Sequence, residues 1–365
     1  MLLTLRYLLK FAIVILLLAD FTSAQDEPQD TPLPGMRGVP KNLPDVSLVG
    51  DVVAKASEDK SDFYRNKILI REIEFALQGY LYPEMRADVF LAFHRHGDHV
   101  EAEICEGYAS FLNVLGGLSL LVGKKHVDFG KVNKLHQHHV PYADRPVVLT
   151  NFFGEHGLVG EGASLDYLLP LPFFLQLTLG AWRAESEAHA EEDVEESEEF
   201  ALVDEVYTSR AWASFPVGDN SELEVGGSGA IGKGILHGEQ KDEAKVVGLD
   251  VTFKFWPSAY QRLFLQGEVL NLIRELPTGS IERWGFYNFI GYRFNKYWDA
   301  GVRYDWAENA LPQKDTTREF LAFITDHLTE TTMVRFQYGY GFDTGIHDAV
   351  IQLIFGIGPH SHPLE

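Results

Sequence analysis

The sequence predicts an all-β protein, a transmembrane antiparallel β-barrel of about sixteen strands with long loops at one end and short turns at the other. Three observations carry that reading. The chain opens on an export signal, yet no later apolar run is long enough for a membrane-spanning helix. From Asp45 onward, segments of about ten residues alternate apolar with polar side chains. The connections between those segments alternate short with long, which a soluble sandwich or solenoid has no reason to do.

The first 24 residues read as a secretory signal peptide. Arg6 and Lys10 are basic, Phe11 to Ala19 is apolar, and Thr22-Ser23-Ala24 offers a small-residue cleavage site before Gln25. Residues 25–44 (QDEPQDTPLPGMRGVPKNLP) are proline-rich and polar and read as a flexible periplasmic lead-in, so the barrel is expected over 45–365. Cys105 is the only cysteine, which rules out an intramolecular disulfide and argues against a small stapled fold. The formal net charge of -22 excludes nucleic acid as a partner and suits a field that attracts cations. Expected partners are outer-membrane lipid and small solutes or ions, in the bacterial outer membrane.

The strands are expected to start near Val46, Ile68, Met85, Val100, Leu118, Glu161, Phe173, Val206, Ser221, Lys245, Arg262, Ile281, Tyr297, Thr317, Thr332 and Ala349. Strand side chains alternate sides with period two. The clearest case is Trp298, Ala300, Val302, Tyr304 and Trp306 on one face against Asp299, Gly301, Arg303 and Asp305 on the other. Val247, Leu249, Val251, Phe253 and Phe255 likewise oppose Gly248, Asp250, Thr252 and Lys254. The fourth strand, VEAEICEGYASF, is the poorest, because its alternation breaks at Glu106, as a bulge would break it.

Short connections fall at Pro83-Glu84, Asn113 to Gly117, Pro170 to Pro172, Gly218 to Asn220, Trp256 to Gln261 and Asn295-Lys296. Longer ones fall at Ser57 to Asn66, Arg95 to His99, Gly130 to Gly160, Ala184 to Glu199, Gly232 to Ala244, Arg274 to Ser280 and Glu308 to Thr316. Gly130 to Gly160 becomes the third outer loop. It far exceeds an ordinary connection, and loops of that length are usually functional. It is expected to fold inward and narrow the pore through His136, His138, His139, Asp144, Arg145, Glu155 and His156. The Asp144-Arg145 pair reads either as a loop-ordering ion pair or as part of a transverse field. The lumen wall is expected to carry Glu72, Glu74, Asp88, Glu101, Glu103, Asp166, Asp250, Glu268, Asp299 and Asp305 against Arg86, Lys254, Arg293, Arg303 and Arg335. That acidic lean predicts weak cation selectivity.

Imidazole and carboxylate are ligands for first-row metals. His94, His96 and His99 in FHRHGDH, and His189 in the acidic run, are therefore candidate zinc ligands at the outer loops. Their spacing matches no defined zinc site, and solvated loop histidines are the plainer reading; no cofactor is otherwise expected. No G-x-S-x-G, H-E-x-x-H or phosphate loop occurs, so the chain is not expected to be an enzyme.

The stretches DVSLVGDVV (45–53), REIEFALQGYLYPEMRADVFLAF (71–93), GKKHVDFGKVNKLHQHHVPYADRP (123–146) and FFGEHGLVGEGASLDYLLPLPFF (152–174) carry a family resemblance. They resemble a little-characterised group of Gram-negative outer-membrane barrels related in architecture to the phosphate-selective porins. The resemblance implies a membrane barrel, and it hints at zinc because some relatives are labelled zinc-regulated, TonB-dependent receptors. Such receptors have about 22 strands and a plugged lumen. The expected function is passive diffusion of small hydrophilic solutes or ions through a water-filled lumen. The alternatives are capture or uptake of a divalent metal by loop histidines, and a closed structural or adhesive barrel. Porins are often homo-trimers, although nothing in this sequence fixes the oligomeric state.

Overall fold

The computed structural model describes residues 44–96, 99–184, 200–236 and 241–359. The residues expected to form a signal peptide, nearly all of the expected lead-in, His189 and its acidic run lie outside the described residues, as do the side chains of His96 and His99. The described residues form a closed barrel of sixteen antiparallel strands, each paired with its neighbours in sequence, with β1 pairing β16 to close the ring. Closure leaves no unpaired sheet edge. The strands are β1 (Asp45–Ser57), β2 (Ile68–Tyr82), β3 (Met85–His96), β4 (His99–Leu115), β5 (Leu118–His126), β6 (Val159–Leu168), β7 (Phe174–Ala184) and β8 (Phe200–Pro216). They continue as β9 (Ser221–Leu236), β10 (Asp242–Phe255), β11 (Arg262–Leu276), β12 (Gly279–Arg293), β13 (Trp298–Glu308), β14 (Thr316–His327), β15 (Thr332–Gly341) and β16 (His347–Ile357).

The barrel is inside-out relative to a water-soluble protein. On β10, Val247, Leu249 and Val251 face outward and are exposed, while Asp250, Thr252 and Lys254 between them are buried. An outward apolar face with an inward polar one is what a lipid-embedded barrel requires. Among the described residues no helix is long and apolar enough to cross a membrane; that leaves crossing by strands untouched.

Several connections are shorter than the sequence predicts, among them Arg95 to His99 and Gly232 to Ala244, because the strands run further than their alternation shows. Two boundaries have a clear local reason. β8 begins at Phe200 rather than Val206, because the pairing shifts register between Val203 and Tyr207, where Asp204 takes φ 59°. Past that irregularity Phe200, Ala201, Leu202 and Val203 are all buried, so no period-two signal remains to read. The β11–β12 connection is only Pro277 and Thr278 instead of Arg274 to Ser280. Arg274 belongs to the barrel interior, where its guanidinium bonds Asp242 at 2.9 and 3.1 Å.

The break at Glu106 is a bulge. Phe90 pairs Glu106 while the next residue, Leu91, pairs Ile104, so Cys105 is the extra residue. Cys105 and Glu106 are consecutive and both buried, which plain alternation forbids.

Candidate functional site

The segment between β5 and β6 packs inside the barrel. Gly130 turns it inward at φ 60°, where a Cβ would collide with the Glu268 carboxylate. Buried Asn133 clamps the two ends of the loop together. Its amide donates to Val127 O (2.8 Å) and Leu158 O (2.9 Å) and accepts from Leu158 N (2.7 Å). Past a short 3-10 turn at Gln137–His139, a seven-residue helix, α1 (Val147–Phe153), returns the chain toward β6.

The loop rests on apolar wall residues. Val127, Phe129, Val132, Val140, Tyr142, Val148, Leu149, Phe152, Phe153 and Leu158 form one buried cluster with inward residues such as Val246, Leu270, Leu272, Tyr287 and Phe289. Full burial of side chains of this size contributes roughly 1.5–3 kcal/mol each. At Gly285 there is room for Val148, whose side chain occupies the space a Cβ would need.

Polar ties reach the loop from several sides of the ring. Glu268 on β11 accepts the backbone N–H groups of Lys131 (3.0 Å) and Val132 (3.1 Å). Arg303 on β13 donates to Asp144 O (2.6 Å) and Arg145 O (3.3 Å), and Asp305 beside it accepts from Val147 N (3.3 Å) at the start of α1. From β15, Arg335 donates to Val140 O (3.2 Å), and the Gln337 amide accepts from Ala143 N and donates to Asp144, both at 2.7 Å. Arg71 on β2 donates to Ala143 O at 2.7 Å. Several wall charges read from sequence as a pore field are thus the groups that hold the loop. Asp144 and Arg145 bind different partners. Arg71 and Gln337 meet Asp144, and Arg145 donates to Leu135 O at 2.8 Å. Burial pulls the Arg145 pKa down to about 10.

The histidines fall in two places. Buried His136 points Nδ1 at Glu74 Oε2 (2.5 Å) and Nε2 toward Glu106 Oε2 (3.5 Å). His138 stands 3.7 and 3.8 Å from Glu72 and Glu74, and its ring packs on the half-buried His139. Burial works against the charged form of His136, but the carboxylates of Glu74 and Glu106 outweigh it and raise its pKa well above the usual value. His94 is on β3 rather than in a loop, and it faces Cys105 Sγ (3.1 Å) and Glu103 Oε1 (3.3 Å). Both groups border a cavity of about 470 Å³ between the loop and the strand ends nearest the long loops, with exposed Glu155 and half-buried His156 on its rim.

A smaller cavity of about 90 Å³ lies under the other side of the loop, lined in part by Lys131, Lys134, Lys254 and Arg262. Burial depresses the Lys134 pKa to about 8; nearby Asp128 opposes the shift, and Lys131 and Arg210 add to it. Other predicted wall residues are paired with strand neighbours. Asp88 meets Arg86, Asp250 meets Arg210, Asp166 accepts from Thr178, and Asp299 meets His327 and Arg293. His126 and Glu106, the other half of the His136 cluster, are not among the site residues expected from sequence. The broken alternation at Glu106 was the signal that could have found them.

No family model matches the chain. An uncharacterised protein of Aquifex aeolicus is 28% identical, aligned with 88% of this chain and 80% of its own. Among solved structures, the outer membrane protein OmpT of Vibrio cholerae is similar, with TM-scores of 0.58 for a loop-deletion variant and 0.54 for its trimer form. Both are 10% identical and cover 87% of this chain and 99% of that one. An anion-selective porin from Comamonas acidovorans gives a TM-score of 0.56 at 9% identity, covering 86% and 100%. The chain shares the sixteen-strand barrel fold of these outer-membrane proteins.

Proposed function

We propose that the protein is a passive channel of the bacterial outer membrane, in which the inward loop divides a water-filled lumen and sets its width. The observation that carries this is the seating of the loop. It is tied to wall side chains on β2, β11, β13 and β15, with a cavity on either side of it. A segment held at that many points narrows a pore without wandering out of it. The porin fold of the solved neighbours supports the same reading.

Selectivity is proposed to be weak and cationic. The formal net charge of -22 draws cations, but many inward carboxylates are neutralised by Arg and Lys, and the smaller cavity is basic. Reversal potentials across a salt gradient test this, and a clear anion preference would contradict it. Deletion of Lys134 to Asp144 should raise single-channel conductance, and unchanged conductance would remove the loop's constricting role. A homo-trimer is the proposed assembly, with the trimeric form of the Vibrio neighbour as support. A second reading, capture of a divalent metal, is favoured by the histidines and carboxylates gathered at the larger cavity.

A further inference from the structure

We infer that Glu106, His126 and His136 form a binding site for a divalent first-row metal ion such as zinc at the floor of the larger cavity, with Glu74 orienting His136 from behind. The inference deepens the metal-capture reading and rests on it.

Geometry supports the assignment. One ligand atom from each of the three residues lies within 4.8 Å of the other two, and all three side chains are buried. His126 Nδ1 stands 3.3 Å from Glu106 Oε1, and His136 Nε2 stands 3.5 Å from Glu106 Oε2. Those separations are long for hydrogen bonds, which cluster at about 2.7–3.2 Å. Ligands of a tetrahedral ion with bonds of about 2.0–2.1 Å sit about 3.3–3.4 Å apart. The two imidazoles face different oxygens of Glu106, so a small rotation of the carboxylate would bring one oxygen to that separation from both. The opposite nitrogen of His136 makes a 2.5 Å contact with Glu74. A carboxylate behind a ligating imidazole fixes its ring and tautomer, the arrangement metal sites commonly use. Glu106 is further held by the His126 backbone N–H at 2.8 Å. Both imidazoles border the cavity, so an ion has a way in and a fourth position remains for water or an incoming ligand. The chain builds the site with two devices, the β4 bulge that turns Glu106 inward and the loop that carries His136 across to β5.

The second group on this cavity, His94, Glu103 and Cys105, is the internal control, since it includes a thiol and the first does not. The test uses the folded full-length barrel in detergent, with fold checked by circular dichroism and heat-modifiable mobility. Titration with Zn²⁺ should give one strong site. His126→Ala and Glu106→Gln should each weaken it at least tenfold. Glu74→Gln should weaken it about 10–100-fold with the stoichiometry intact, and Glu74→Asp should recover part of the loss. Cys105→Ala should change nothing. Binding untouched by His126→Ala, or lost in Cys105→Ala alone, would overturn this site while leaving metal capture standing. A wild-type barrel that binds no Zn²⁺ would overturn both. If the variants do not fold, the Co²⁺ spectrum of the wild type decides. Tetrahedral bands without a thiolate charge-transfer band support the assignment, and a thiolate band refutes it.

Discussion

Replacing Glu268 by alanine should release the first part of the inward loop. The carboxylate is buried and accepts the Lys131 and Val132 N–H groups at 3.0 and 3.1 Å and the Tyr287 hydroxyl at 2.7 Å. Hydrogen bonds contribute about 0.5–1.5 kcal/mol each to a neutral group and about 1.5–3 kcal/mol to a charged one, so the two loop donors together contribute about 1–6 kcal/mol of seating. Since about 1.4 kcal/mol is a tenfold change, the equilibrium between seated and released loop entrance should shift by about fivefold to 10⁴-fold. The apolar seat around Phe152 and Phe153 stays intact, so α1 should remain docked while residues near Lys131 open. Two readouts follow from that. Trypsin should gain cleavage at Lys131 or Lys134 in a barrel that keeps its heat-modifiable mobility, and single-channel currents should become larger or noisier. Glu268→Gln, which retains an acceptor, should recover most of the wild-type behaviour. Wild-type protease resistance together with an unchanged current trace in Glu268→Ala would refute the reasoning.

Arg303→Met removes the ties to Asp144 O and Arg145 O and leaves the buried Asp305 without its 2.7 Å guanidinium partner. Breaking a buried pair in this way costs about 3–5 kcal/mol, which a lowered urea midpoint should report. Gly285→Val places methyl groups where Val148 sits, so α1 should lift and tryptophan fluorescence or proteolysis near Val147 should change. Lys134 supplies a pH test. Its folded pKa, about 8, lies below the unfolded value of about 10.4. Between those values the unfolded chain binds more protons, so stability should rise with pH across that window. Folded Lys134 loses its positive charge around its own value of about 8, so cation preference should grow between about pH 7 and pH 9 and stay flat in Lys134→Gln.

Period-two alternation made the wall legible from sequence. Strands such as β10 and β13 present apolar side chains outward and polar ones inward, and that contrast is written in every second residue. The start of β8 was not legible, because four consecutive buried apolar residues before a register shift carry no alternation. The inward loop was visible as a length, but its seat was not. Val246, Leu270, Leu272 and Phe289 are apolar on the lumen side, and alternation alone assigns such positions to lipid or leaves them ambiguous. In hindsight, apolar residues on both faces of β10 to β12 marked where something would dock. The roles of Glu268, Arg303 and Arg335 were hidden for a similar reason. A charge on a lumen face looks the same in sequence whether it meets water or the backbone of a loop from elsewhere in the chain. His94 and His136, assigned from sequence to different loops, border one cavity, with His94 on the wall beside Cys105 and His136 carried by the loop to Glu74 and Glu106.

The most direct test of the central claim is single-channel recording of the refolded wild-type barrel in a planar bilayer, beside the variant lacking Lys134 to Asp144. Discrete, long-lived steps in the wild type and larger ones in the deletion are the predicted result. Silent membranes from both proteins, each shown to be folded and inserted, would contradict it and make this a barrel with a closed lumen.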